Sequence, residues 1–216
     1  MLARMDMHSA PETLVVNPKI LYFGTPVMLV TTCNPDGSAN ITPMSSAWAL
    51  ADRITIGLVD GGQGLDNLLR ERECVLNLAS DAMHEGVERL APTTGCNPVP
   101  AFKRALGYRH VPDKFALAGW HAEPALVVGA PRIVEAPLQL EAHVLHADHR
   151  DVPAWADAAG GYTSLELEVV KVHAHADRVV AGTQYIDPYR CRPLFYVFRH
   201  YYGIGERLGQ TFKAEV

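Results

Sequence analysis

Apolar and polar positions along the 216-residue chain change period several times, and most of the periods are those of strands. Pro26–Thr32 is a β-branched apolar run, Asn34-Pro35-Asp36-Gly37 puts Pro and Gly where a type I turn needs them, and Ser38–Leu50 resumes as an extended stretch. That succession predicts a hairpin. In Arg53–Leu58 the apolar Ile54, Ile56 and Leu58 alternate with Arg53, Thr55 and Gly57, as in a half-buried strand that ends at Asp60-Gly61-Gly62-Gln63-Gly64. Leu65, Leu68 and Leu69 then recur at helical spacing with Asp66, Arg70 and Glu71 outside, which predicts a short amphipathic helix over Leu65–Arg72. Cys74–Leu78 returns to strand.

Residues 82–112 read as a helical insertion. Met83, Val87 and Leu90 suggest one helix, and Asn97 and Pro98 supply an N-cap and first-turn proline for another through Leu106. Further on, Leu138, Leu140, Ala142 and Val144 alternate against Gln139, Glu141 and His143, and Leu165, Leu167 and Val169 against Glu166 and Glu168, with Ala154–Gly161 as the loop between. Pro193 opens a predicted final helix over about 193–202, in which Leu194, Val197, Phe198 and Tyr201 share a face and Gly203 supplies the stop. Residues 1–17 read as an N-terminal arm and 18–216 as one domain. Strands joined by short turns and interrupted by helices favour a mainly β chain with helical insertions, closed as an antiparallel barrel, over a doubly wound sheet.

Composition narrows the function classes. With 48% hydrophobic and 20% charged residues the chain is an ordinary globular protein, not a disordered, collagen-like or membrane one. A net charge of −5 with the histidines neutral, and no Lys/Arg block, gives no electrostatic footprint for nucleic acid or a membrane surface. Four dispersed cysteines without a C-x-x-C read as reduced thiols, Met1–Glu12 lacks the apolar core of a leader, and the expected location is the cytoplasm.

The chain has no G-x-S-x-G, H-E-x-x-H, Walker loop or strand-linked G-x-G-x-x-G. Two segments carry candidate chemistry instead. Asn40-Ile41-Thr42-Pro43-Met44-Ser45-Ser46-Ala47-Trp48 places small and hydroxylated residues on a strand that should be bulky. This is either a bulged edge strand or a wall that lets a flat ligand approach the backbone. Asp60–Asn67 is a glycine-rich turn running into a helix start, which is either a plain connection or an anion site built from free N–H groups and the helix dipole. Among the histidines, His143, His146 and His149 are split between faces by the strand period, and no metal site is expected there. His173 and His175 form a better-placed pair, yet two ligands do not fix a metal.

Taken in order, Pro26–Thr32, Asn34–Asn40, Pro43-Met44-Ser45-Ser46, Gly61-Gly62-Gln63, Asn67-Leu68 and Cys74–Leu78 resemble the flavin reductase family. So do Asp113-Lys114-Phe115, Gly129-Ala130-Pro131-Arg132, Leu138–Glu141 and Arg192-Pro193-Leu194. The resemblance implies an FMN-binding split β-barrel of Greek-key antiparallel type, a homodimer holding FMN or FAD near the subunit interface, and hydride delivery from NADH or NADPH. It implies that Thr42, Pro43, Met44, Ser45, Ser46 and Ala47 line the ring and ribityl chain, and that Gly61, Gly62, Gln63 and Gly64, with Asn67, hold the phosphate end. A turn lacking the Ser, Thr and basic residues common in the family would leave the phosphate to N–H groups, Gln63 and an arginine from elsewhere. His173, expected on the inward face with Leu165, Leu167 and Val169, is either a satisfied core or interface histidine or the catalytic histidine the resemblance implies. Trp120 and His121 fall where the family builds the mouth of its site, or else cap the barrel surface. Tyr201 is expected to pack on the barrel or partner chain, with Arg199 and His200 near water and Tyr202 as a weaker pocket candidate. A monooxygenase partner taking reduced flavin, a non-enzymatic flavin-binding electron carrier, and a metal- or haem-binding barrel using His173 and His175 complete the expectations.

Overall fold

The computed structural model describes residues 11–18, 20–151 and 160–214. Most of the predicted 154–161 loop, and residues 1–10 of the predicted arm, lie outside them.

Among the described residues, ten strands of three or more residues carry the fold. They are β1 (Phe23–Pro26), β2 (Met28–Cys33), β3 (Ala39–Met44), β4 (Ala47–Leu50), β5 (Arg53–Val59), β6 (Glu73–Leu78), β7 (Leu138–Arg150), β8 (Tyr162–Ala174), β9 (Phe195–Val197) and β10 (His200–Tyr202). Seven form one antiparallel sheet in the order β3-β2-β6-β7-β8-β5-β4. Its two edge strands, β3 and β4, are consecutive in the chain and joined only by Ser45 and Ser46. Three Cα steps reach at most roughly 11 Å, so the sheet must roll until its edges nearly meet. The result is a barrel split along a seam, as expected of a mainly β split barrel.

The barrel interior holds Met28, Val30, Ile54, Ile56, Leu76, Leu165 and Leu167, with Leu65 and Leu68 of helix α1 (Gln63–Glu71) closing one side. Because β2 is apolar on both faces, Val27 and Leu29 point the other way. There they pack with Val87 and Leu90 of α2 (His84–Leu90), Phe115 of α4 (Lys114–Ala118) and Trp120. Among the described residues no helix is long and apolar enough to cross a membrane. Cys33, Cys74, Cys96 and Cys191 are free thiols.

Three elements depart from the expected pattern. Residues 193–202 form the β9–β10 hairpin, not a helix. Their aromatic and β-branched side chains suit a strand once β1 offers an edge to pair with, and Phe198 and Arg199, at φ 44° and 71°, make a two-residue turn of the hairpin kind. Helix α3 starts at Ala101 with Pro100 at its N-cap, not after Asn97, because Val99 precedes a proline and is pushed out of helical geometry. It spans Ala101–Ala105, has no fully buried side chain, with Phe102 and Lys103 half-buried, and leaves the 82–112 region helical only in part.

The third departure concerns faces. In β8 Val170 is an extra residue: Lys171 pairs with Glu141, and Val169 with Ala142. This bulge reverses the alternation, so His173 lies opposite Gln139 on the outer face, away from Leu165, Leu167 and Val169. That outer face is itself buried, since residues 124–136 cross it and bind its polar side chains. Gln139 Nε2 donates to the carbonyls of Ile133 and Ala136, Asn77 Oδ1 accepts from the Ile133 N–H, and Glu141 accepts from the N–H groups of Leu126, Val127 and Val128.

His173 Nε2 lies 2.6 Å from Glu141 Oε1, and Glu141 has no exposed surface. Burial pushes the Glu141 carboxyl up, but the Leu126 N–H, the His173 ring and the Val127 and Val128 N–H groups outweigh it and bring it down from 4.5 to about 2. A folded-state value below the unfolded one supports the fold above pH 4.5, and that support is lost as pH falls toward 2. Glu141→Gln is therefore expected to cost about 3 kcal/mol at pH 7 and to flatten the dependence of stability on pH in that window, as read by urea melts at a series of pH values.

Candidate functional site

The seam opens into a cavity of about 430 Å³. Thr42, Pro43, Met44, Ser45 and Ser46 form one wall and Gly62, Gln63 and Gly64 another, so the two segments singled out in the sequence converge on one space. Gly64 is required by close approach, because a Cβ there would collide with Thr42 Oγ1. Gly61, at φ 69°, turns the chain from β5 into α1, and Gly62 is the N-cap with no side-chain capping bond. The first N–H groups of α1 are thus left without a side-chain partner at the cavity.

Three predicted residues do not line the space. Ala47 packs into the barrel core. Gly61 lies behind the ring of Phe102, 3.0 Å from where its Cβ would be. Asn67 is fully buried and ties α1 to the first hairpin, donating to Thr32 Oγ1 and Asn34 Oδ1 and accepting from Gln63 Nε2. His173 is also absent from the cavity wall, being engaged with Glu141 on the far face of the sheet. His175 Nε2 lies 2.9 Å from the carbonyl of Val134, and no group of three metal-binding side chains occurs among the described residues. Trp120 is buried against Gly86, and His121 is exposed beside Glu135, so neither forms the mouth. Tyr202 is exposed, whereas Tyr201 reaches the cavity.

Sequence reasoning missed two groups. The first is aromatic: Tyr22 before β1 meets Tyr196 of β9 edge to face, and Tyr196 meets Tyr201 of β10 at a tilt, with ring centroids 5.5 and 5.6 Å apart. Tyr22 Oη meets Ser46 Oγ at 2.8 Å, and Tyr201 Oη donates to Glu88 Oε2 at 3.1 Å. Of the two hydroxyl protons on Tyr22 and Ser46, one joins the pair and the other is left for a ligand acceptor.

The second group is cationic. Lys114 is 4% exposed and donates to the Ile41 carbonyl at 2.7 Å, leaving two ammonium protons over. Lys103, on α3, has its Nζ 3.4 Å from the position of a Cβ on Gly62. Burial draws both lysines below the usual lysine range, and the charge of Lys103 lowers Lys114 further, to about 8. Asp66 and Cys96 act in the opposite sense on Lys103, and Cys96 on Lys114. Two ammonium groups beside an uncapped helix start form a corner suited to a phosphate. Lys103 and Lys114 lie 40 and 51 positions beyond Gln63.

The chain matches the family described as flavin reductase like domain over residues 20–205. It belongs to that family. The uncharacterized protein YdfE of Bacillus subtilis (strain 168) is 37% identical over 200 residues, covering 93% of each chain. Flavoredoxin of Desulfovibrio vulgaris (Miyazaki F) superposes with a TM-score of 0.73 at 21% identity, covering 95% of this chain and 99% of that one. Component B of nitrilotriacetate monooxygenase from Bacillus cereus does so at 0.72 and 18%, covering 93% and 100%. At these identities the likeness to solved structures is one of fold.

The residues present fit a flavin with an anionic tail. A wall of short side chains along Thr42–Ser46 accepts a flat ring. Thr42 Oγ1 accepts from Asn40 Nδ2 at 3.1 Å and keeps its own proton to donate, and the glycine turn with Lys103 and Lys114 matches an anionic tail. Because Lys114 loses its charge as pH rises through about 8, inorganic phosphate is expected to raise the melting temperature at pH 7 and to do so less at pH 9, in thermal-shift titrations against chloride at matched ionic strength.

Proposed function

We propose that the protein is a flavin-dependent oxidoreductase of the flavin reductase type, taking electrons from NADH or NADPH. The observation that carries this reading is the convergence of Thr42–Ser46, the Gly62–Gly64 turn and two desolvated lysines on one cavity. FMN or FAD, when bound, supplies the redox chemistry, and the chain contributes orientation and electrostatics. Thr42 and the Tyr22–Ser46 pair offer hydroxyl donors to the ring edge. Gly62, Gln63 and Gly64 with Lys103 and Lys114 would hold the phosphate, and the Tyr22, Tyr196 and Tyr201 rings close the opposite side of the cavity against water. No acid–base residue is needed for hydride transfer, which depends on holding two rings in register. The outer-face position of His173 supports a structural part for it, through Glu141.

On the same reading the protein works in the cytoplasm as a homodimer. Support comes from the unpaired edge strand β4, where Trp48 and Leu50 are 60% and 69% exposed. The likeness to a monooxygenase component B supports handing reduced flavin to a monooxygenase partner. Purified protein mixed with FMN and NADH or NADPH is expected to quench flavin fluorescence and to oxidise the nicotinamide above the free-flavin rate, followed at the nicotinamide absorption band. Absence of both effects overturns the reading. Flavin that binds but is reduced only through another protein replaces it with an electron-carrier function.

A further inference from the structure

We infer that Arg199, at the tip of the β9–β10 hairpin, receives a phosphate of the nicotinamide donor in a cleft beyond the tyrosine rings, and so sets how tightly the donor binds. The inference rests on the flavin reading above and adds where the charged part of the donor is held.

A second cleft, of about 590 Å³, lies between α2 and the hairpin and is lined by His84, Glu85, Glu88, Arg89, Arg199 and His200. Tyr201 belongs both to its wall and to the wall of the seam cavity, so the two spaces meet at one side chain. The acids of the cleft are engaged. Glu88 accepts from the Tyr201 hydroxyl, and Glu85 faces Arg89 at 3.9 Å. Arg89 is committed as well, its guanidinium donating to the carbonyls of Leu117 and Ala118. Arg199 differs: it is exposed, and its side chain makes no hydrogen bond or ion pair among the described residues. Burial raises the Tyr196 hydroxyl above its usual range and the Arg199 charge opposes that rise, which puts the guanidinium near a ring that bounds the seam cavity.

The backbone holds this cation in place against its own preference. Phe198 and Arg199 occupy the two turn positions at φ 44° and 71°, a left-handed conformation that glycine adopts freely and residues with side chains adopt only under strain. The Phe198 N–H, donating to the Tyr22 carbonyl at 2.6 Å, pins the turn beside the tyrosines. An unpaired guanidinium carried by a strained turn at the edge of a cavity is suited to two phosphate oxygens, which its planar fork binds together. On the reading above the flavin's phosphate lies at the glycine turn, across the cavity from the tyrosines, so the anion that reaches Arg199 belongs to the second ligand. In a reduced nicotinamide dinucleotide the reacting ring is uncharged, and the pyrophosphate, joined in NADPH by the 2′-phosphate, carries the negative charge.

The test is steady-state oxidation of NADH, NADPH and the uncharged 1-benzyl-1,4-dihydronicotinamide in the presence of FMN, by the wild-type chain, Arg199→Gly and Arg199→Lys. Glycine suits the turn, so Arg199→Gly is expected to keep the melting temperature while raising KM for the dinucleotides about tenfold, with kcat and the rate on the uncharged donor retained. Arg199→Lys is expected to recover part of the loss. A larger rise for NADPH than for NADH assigns the contact to the 2′-phosphate, and an equal rise assigns it to the pyrophosphate. Unchanged KM for both dinucleotides, or a loss of the same size on the uncharged donor, overturns the inference while leaving the flavin reading standing. Wild type that oxidises none of the three donors above the free-flavin rate overturns both.

Discussion

The structure depends on one geometric constraint: the two free edges of a seven-stranded sheet are tied together by the dipeptide Ser45-Ser46. An open sheet of this size would twist away and leave β3 and β4 far apart. The link is too short for that, so the sheet curls around Ile56, Leu76, Leu165 and Leu167. The edges come close without pairing, and the Gly57 N–H, donating to the Ser46 carbonyl at 2.9 Å, continues the β4–β5 ladder into the link. Unpaired edges are ordinarily a liability. Here the gap between them becomes the cavity, and the small residues that could look like a weak strand are the ones its lining requires.

A second constraint acts on the outer face of the same sheet. Gln139, Glu141 and Asn77 serve as surrogate strand partners, giving the crossing segment 124–136 the hydrogen bonds that a neighbouring backbone would otherwise provide. A buried carboxylate is tolerable there because its oxygens meet three N–H groups and an imidazole. The barrel is thereby covered on a face whose residue pattern reads as solvent-exposed.

Local signals made much of this legible from the residues alone. The Asn34–Gly37 turn, the alternation in Arg53–Leu58 and the leucine spacing of α1 each carry their own punctuation, and the structure follows them. What could not be read locally depends on tertiary partners. The hairpin at 195–202 needs β1 as an edge before strand wins over a helical spacing that fits equally well. The single bulged Val170 moves His173 to the other side of the sheet, and nothing in the sequence around it announces an extra residue. Thr42–Ser46 and Gly62–Gly64 were visible as candidates because small residues and glycines are conspicuous where bulk is expected. Lys103 and Lys114 were not, since a lysine within a stretch of mixed polarity gives no sign of reaching a turn 40 or more positions earlier.

Helix α3 touches the cavity with Phe102 and Lys103 yet contributes nothing to either large core. Substitutions on its five residues are therefore expected to cost the barrel little stability. A change in this short cap would therefore reshape one end of the cavity while leaving the seam and the barrel core as they are.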